Sequence, residues 1–471
     1  MGTIRKKATD TLQRLREFLT RPDSMINRLC RNFSIGFLGT TSLFLLTFLL
    51  IPVLTKNLSL EDYGRIIIVG NFFQFSSLFI RVRINDLIYR FLPEFENAQD
   101  PEKVSALLRL SLLICFSACG VVFMLVVFGG QWIAENVYRD QSLYPLLVIQ
   151  MTSGALMPLE EFSKGLLRIR DRFSALIFPQ VAGTAISVVL VAVLIFFFNL
   201  TSLPHVIGAL VVGQIFGLLV PFVASLKLFW PEIRHPLRRG LWESLSGSGA
   251  DIWSTVFQTN LVNYLKVGAQ EGGIFLLSVL ASPEQVAIYG MANKLARPML
   301  ILQDNLQQAL NPEIVKLWGQ HQYRGLSHLV KRIMKTTITV GGLVVIVGLL
   351  LAKPVVLVLT TEKYLAAIPV FYVALITAFI TFVSMPFFYV SLCMGQLHRR
   401  NLAVSIRFIY MGIFCLTGLT AFNLALAQLL GAVTTRLLND FPVMRRLQTL
   451  AREESQPTDK EVSNENAGTR Y

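Results

Sequence analysis

Apolar residues recur along this chain in blocks of about twenty, the length at which a helix crosses roughly 30 Å of hydrocarbon. The blocks fall at residues 33–54, 64–84, 104–129, 142–165, 174–198 and 204–229, and again at 249–272, 284–311, 332–358, 364–395, 401–420 and 422–440. A basic connector from Trp230 to Ser248, with Arg234, Arg238 and Arg239, divides the two sets. The pattern predicts an all-α polytopic membrane protein of about twelve transmembrane helices, in six-helix halves at 33–230 and 249–446 joined by a cytoplasmic linker at 231–248. Residues 1–32 are basic, with Ala8, Leu12, Leu15 and Leu19 at helical spacing; an amphipathic helix on the membrane surface and a frayed tail both fit. Residues 447–471 are polar and aperiodic and are expected to be a disordered tail.

Several helices carry polar stripes where lipid-facing helices would not. Asn71, Gln74, Ser77, Arg81 and Asn85 follow one another at steps of three and four, as do Thr259, Asn263, Lys266 and Gln270. The most pronounced stripe lies between Pro283 and Lys316, where Gly290, Lys294, Arg297, Asp304 and Gln308 are spaced to gather on one side of a helix. A cation near the bilayer centre costs roughly 2.5–3.5 kcal/mol on insertion scales, so a helix with two of them needs a polar interior to face. The reading is a solvated, cationic cavity for a polar, anionic ligand, bound by Lys294, Arg297, Lys266 and Arg81 and lined by Asn71, Gln74, Asn263 and Gln308. For Lys266 the competing reading is snorkelling to a nearby surface; Arg81 and Arg407, nearer the inner face, are better explained that way. Asp304 either neutralises Arg297 or binds a coupling ion, and Asp251 at the start of its helix is either a second ion-coupling candidate or an interfacial residue favoured by the helix dipole. Pro52, Pro179, Pro298 and Pro386 are expected to interrupt helices, as hinges or as static kinks.

An internal repeat supports the two halves. Leu60-Glu61-Asp62-Tyr63-Gly64 opens one block, and Pro93-Glu94 follows it. Glu284 through Tyr289-Gly290 opens another, followed by Pro312-Glu313. Parallel repeats joined by a basic linker are a secondary-transporter arrangement.

Composition agrees with the pattern. The 471 residues are 53% hydrophobic and only 15% charged, against about 25% charged in soluble domains. The net charge of +14 would suit nucleic acid in a soluble chain, but here its distribution explains it. With the N-terminus inside, the outer loops receive only Lys56, Arg65, Arg139, Lys353 and Lys363 of the 43 Lys and Arg, and Arg109, Lys266, Lys294, Arg297 and Arg407 fall within helices. A bias of that size places both termini in the cytoplasm. The first apolar block starts near Phe33, too late and too long for a cleavable signal peptide. Cys30, Cys115, Cys119, Cys393 and Cys415 show no metal spacing and read as reduced packing residues. There is no Gly-x-x-x-x-Gly-Lys-Ser/Thr loop and no His-Glu-x-x-His, and the outer loops are too short for a catalytic domain, so a transporter is expected and an enzyme is not.

Four passages carry a family resemblance: Pro52-Val-Leu-Thr-Lys-Asn-Leu-Ser-Leu-Glu-Asp-Tyr63-Gly64, Arg90-Phe-Leu-Pro93-Glu94, Ile274 to Gly290, and Leu310-Asn-Pro312-Glu313. In order and spacing they resemble the polysaccharide (O-antigen) repeat-unit flippases, the Wzx-type branch of the superfamily that includes multidrug-and-toxin extruders and lipid II flippases. Ser59, where the family usually has Gly, and Gln270-Glu271, where it often has an acidic residue before the aliphatic run, depart from the pattern. The resemblance implies a MATE-like fold in the plasma (inner) membrane and a lipopolysaccharide-type pathway. The implied activity moves a polyprenyl-pyrophosphate-linked oligosaccharide from inner to outer leaflet; alternating access by rocking of the two halves is expected with it, no cofactor is expected, and an H+ or Na+ gradient enters only if Asp304 or Asp251 binds a coupling ion. Implied partners are a polysaccharide polymerase and other envelope-assembly proteins, with no nucleic acid. A multidrug or lipid II-like exporter of the same fold is the alternative, although a drug cavity should be acidic and aromatic where this one is cationic. A membrane-embedded glycan ligase would need a catalytic acid or base on a large outer loop, and an envelope scaffold has only the basic N-terminal segment in its favour.

Overall fold

The computed structural model describes residues 25–80, 84–237, 240, 272–416 and 418–454. Among them the protein is built of helices, and seven of these are long and apolar enough to cross a membrane. In chain order the helices are α1 (Met25–Asn57), α2 (Leu60–Ile80), α3 (Ile84–Asn97), α4 (Pro101–Trp132), α5 (Leu143–Ala155), α6 (Met157–Ile169), α7 (Phe173–Phe196), α8 (Leu203–Arg234), α9 (Pro283–Gly319), α10 (Tyr323–Leu359), α11 (Ala367–Ser384), α12 (Phe387–Cys393), α13 (Leu397–Leu416), α14 (Ala421–Thr435) and α15 (Phe441–Glu453). Eleven of the twelve expected blocks coincide with helix here, whole or in two pieces; the block at 249–272 lies almost entirely outside the described residues. Large apolar side chains such as Phe128, Leu343, Leu350 and Val358 stand exposed, as lipid contact requires.

The differences from the expected pattern have local causes. Block 142–165 is split at Leu156, between α5 and α6, where Pro158 supplies no N–H to the helical ladder. Pro386 likewise separates α11 from α12. Pro52 and Pro179 run inside α1 and α7, and α9 passes unbroken through Pro298, so three of the four prolines expected to interrupt helices do not. The helical backbone is instead lost at Phe229 in α8, two residues before Pro231. In block 64–84 the described helix reaches Ile80 and residues 81–83 lie outside the described residues; α3, described from Ile84, is amphipathic with Ile84, Leu87, Ile88, Phe91 and Leu92 buried. Of the tail expected at 447–471, the first residues are helical, because α15 is an amphipathic helix that reaches Glu453 with Val443 and Leu447 buried; residues 455–471 lie outside the described residues.

The chain divides into two compact units, one of Met1–Val53 with Phe72–Lys266 and the other of Leu54–Asn71 with Val267–Tyr471. The first unit has its core where α3, α4, α6 and α8 bring together Leu87, Phe91, Leu107, Phe162, Leu166 and Phe229. Arg109 and Ser105 of α4 donate to the carbonyls of Ile233 and His235, which satisfies the free end of α8. A half-buried Lys164 ammonium neutralises the neighbouring acids at 2.9 Å from Glu160 and 3.2 Å from Glu161. The amide of Gln180 also donates to Glu160.

In the second unit α15 is docked, not frayed. Val443 and Leu447 pack with Ile314 of α9, Leu326 and Val330 of α10, and Phe387 and Val390 of α12. Glu454 closes the arrangement by accepting from the backbone N–H of Arg324, in the first turn of α10, where the helix dipole favours an anion. The ends of this unit differ in charge. Lys316, Arg324, Lys331, Arg332, Arg399, Arg445 and Arg446 lie near the turns at 320–322 and 394–396 and in α15, whereas Lys353 and Lys363 lie toward the 359–366 turn. Single cysteines placed at 136, 199 and 362 of a cysteine-free variant are therefore expected to react with an impermeant thiol reagent in intact cells, and those at 170 and 320 only after permeabilisation. External labelling at 170 or 320 would sink the orientation with both termini inside.

Candidate functional site

The second unit owes its Leu54–Asn71 segment to one junction between the two repeat openings. Ser59 caps α2, accepting from the Asp62 N–H at 3.0 Å and donating its hydroxyl to the Asp62 carboxylate at 2.7 Å. The departure from the family's Gly is thus a working cap. One turn into α2, Tyr63 is fully buried. Lys294 of α9 donates to the Tyr63 hydroxyl at 3.1 Å, and its ammonium sits 5.1 Å from the centre of the Tyr63 ring. Tyr364 meets the same ring edge-on, with centroids 5.8 Å apart. The repeat glycines allow the close approach. A Cβ on Gly64 would collide with the Pro283 carbonyl, and one on Gly290 would stand 2.6 Å from the Ile67 side chain. The hydroxyl of Thr55 adds a bond to the carbonyl of Leu359 at 3.1 Å.

This junction divides the stripe that sequence spacing gathers on one face of α9. At about 100° per residue, Arg297 and Asp304 lie within about 20° of each other, whereas Lys294 is about 60–80° further round. Lys294 is accordingly half-buried against α2, while Arg297 and Asp304 are exposed. In this structure the two cations expected to face one cavity differ in their surroundings: Lys294 is held by Tyr63 and Arg297 is exposed. On α2, Asn71 is buried, and its side-chain nitrogen has no hydrogen-bond partner among the described residues. Gln74 is exposed, and Gln308 lies in the helical backbone of α9. Arg81, Asp251, Asn263 and Lys266 lie outside the described residues.

Spacing arguments missed a second cationic group. Arg400 and Arg407, seven residues apart on α13, line a cavity with Asp440, which ends a π-helical turn at Arg436–Asp440 between α14 and α15. Arg407 does not snorkel. Its stem lies on Gly431 of α14, where a Cβ would stand 2.7 Å from Nε and 2.9 Å from Cγ. The two-turn spacing of the arginines was legible; the glycine that receives one of them, on the next helix, was not.

With this geometry in place, the chain can be compared with known proteins. Residues 53–369 match a family described as "Polysaccharide biosynthesis protein". No curated protein matches the chain. Among solved structures, a multidrug resistance MATE family transporter of the MOP superfamily, in an inward-facing conformation, is similar at 14% identity and a TM-score of 0.68, over 87% of this chain and 95% of that one. The lipid II flippase MurJ, in an inward closed conformation, is similar at 14% identity and a TM-score of 0.64, over 89% of each chain. A MOP superfamily transporter from Pyrococcus furiosus, described as having a binding pocket of reverse polarity that suggests a different function, is similar at 12% identity and a TM-score of 0.62, over 90% of this chain and 96% of that one. The fold is therefore MATE-like, in a multi-pass membrane protein.

Proposed function

This chain belongs to the polysaccharide biosynthesis protein family, and we propose that within it the protein is a flippase that moves a polyprenyl-pyrophosphate-linked oligosaccharide from the inner to the outer leaflet. The observation that carries this reading is the placement of Arg297 midway along the 37-residue α9, exposed and one turn beyond the Lys294–Tyr63 contact. An exposed guanidinium away from the ends of its helix suits a doubly phosphorylated head group, while the isoprenoid tail stays in the bilayer. The similarity to MurJ, a lipid II flippase, supports a lipid-linked substrate, and the middle of α9, with Lys294 and Arg297 against Asp304, argues against a cationic drug.

The cycle is alternating access in the inner membrane, drawing on an H+ or Na+ gradient, with Asp304 as the acidic residue beside Arg297. The chain catalyses no bond change, and a polysaccharide polymerase acts on its product. Depleting the protein from cells is expected to trap the lipid-linked oligosaccharide on the inner leaflet, out of reach of an external lectin or glycosidase, while its synthesis continues. Undiminished surface exposure of the lipid-linked sugar after depletion would refute the flippase reading.

A further inference from the structure

The second unit holds a cavity of about 90 Å³ whose wall is formed by Gln303 of α9, Ser384 of α11, Arg400 and Arg407 of α13, Thr435 of α14 and Asp440 of the π-helical turn, among others. By the same measure a water needs only roughly 10–15 Å³, so the space admits a group of several heavy atoms. Two guanidiniums against one carboxylate leave the wall net positive. The carboxylate is engaged through one oxygen: Asp440, 3% exposed, accepts at Oδ1 from Asn439 at 3.0 Å, and Asn439 in turn accepts from Ser391 at 3.1 Å. Arg400 is steadied by the ring of Phe388, 4.3 Å from its guanidinium carbon.

Arg407 is different. Its Nε is buried and has no hydrogen-bond partner among the described residues, and the same holds for Gln303 Oε1 and Asp440 Oδ2. Leaving a buried charged donor unmatched is costly, and an anionic oxygen from a ligand relieves it. Gly431 provides the place in which Arg407 lies, since any side chain there would meet its Cβ, Cγ and Nε at 2.7–3.1 Å. The π-helical turn widens the helix where Asp440 reaches the wall, a distortion frequent at functional sites.

We propose that this cavity is a phosphate site that takes a phosphate group from a lipid head, with Arg407 as its principal donor and Arg400 as the second. The proposal rests on the flippase reading and adds a station to it. Gln303 lies six residues beyond Arg297 on α9, about 9 Å along the axis, toward the end of the unit that carries α15 and most of its Lys and Arg. In the expected orientation that is the cytoplasmic side, where a newly made lipid-linked sugar arrives. The head would therefore be held at Arg407 before it reaches Arg297.

The phosphate could belong to the isoprenoid pyrophosphate or to a bilayer phospholipid, and binding measurements on the purified full chain separate the two. Farnesyl pyrophosphate and phosphatidylglycerol are titrated separately against wild type, Arg407→Ala, Arg407→Lys and Gly431→Val, each first confirmed as monodisperse and of normal thermal stability. Loss of the charge-assisted contact is expected to weaken farnesyl pyrophosphate about tenfold or more in Arg407→Ala, and less in Arg407→Lys. Gly431→Val keeps both arginines but displaces one, and is expected to resemble Arg407→Ala. If phosphatidylglycerol alone weakens across the series, the site stands with a phospholipid as its occupant. Unchanged affinity for both probes in Arg407→Ala and Gly431→Val, or no binding of either by wild type, overturns the site. The flippase reading is judged separately by depletion, and stands or falls there whatever these titrations return.

Discussion

Gly64→Ala is expected to destabilise the protein by about 1–3 kcal/mol, the usual cost of forcing an added group into filled space. Gly64→Val should cost more. The Cβ at this position meets the backbone carbonyl of Pro283, not the end of a side chain, so no rotamer change relieves the collision. Relief requires α2 and the start of α9 to separate, which also pulls Tyr63 from Lys294 and Tyr364. Gly70 lies on the same helix with nothing within 4 Å of its Cβ position, so Gly70→Ala is the matched control. It should be neutral or slightly stabilising, because alanine is the better helix former. The readout is the midpoint of thermal unfolding of the purified protein, followed by loss of the monodisperse peak. A Gly64→Ala midpoint equal to that of Gly70→Ala would mean that the close approach does not hold the junction.

The same junction shows what one sequence can and cannot display. Apolar blocks are long-range statements about solvent, so most helices could be placed from them. Breaks and continuations within helices are local, and they were read less well. Pro298 and Pro158 look alike on paper; α9 runs through the one, and the other stands in the first turn of α6. α15 escaped notice because Arg445, Arg446 and Glu453 make its outer face look like tail, while its buried face is only Val443 and Leu447. The repeat marked Tyr63-Gly64 and Tyr289-Gly290 as special without saying that the two openings pack on each other. The partner of Lys294 is 231 residues away in the chain, and no spacing rule reaches that far. Spacing by threes and fours also tolerates a spread of about 80° around a helix, wide enough to merge a residue pinned to a neighbour with two that are exposed. Arg407 shows the converse error: position along a helix suggested snorkelling, and a glycine on the adjacent helix decided otherwise.

Arg297→Ala is expected to abolish or strongly reduce flipping while leaving a folded protein at normal levels. Arg297 is exposed, so truncating it leaves no cavity, whereas Lys294→Ala removes both a hydrogen bond and a cation–ring contact to the buried Tyr63. The two neighbouring cations should therefore separate by readout. Lys294→Ala should lower thermal stability, with a cation–ring term of about 0.5–2 kcal/mol in the loss, and Tyr63→Phe should reproduce only the hydroxyl part. Arg297→Ala should leave stability near wild type and lose transport, because a charge-assisted contact to a phosphate is worth about 1.5–3 kcal/mol, or tenfold and more in binding. Arg297→Lys should recover part of the activity, since it keeps the charge and loses the bidentate fork. Asp304 provides the decisive control, since it stands on the same side of α9 two turns on. If Arg297 served only to balance that carboxylate, removing both charges would restore transport. Phosphate binding predicts that Arg297→Ala/Asp304→Ala remains as inactive as Arg297→Ala alone. Full activity of the double variant, measured as lipid-linked oligosaccharide reaching the outer leaflet at equal protein levels, would end the case for Arg297 as a phosphate ligand and leave it a structural ion.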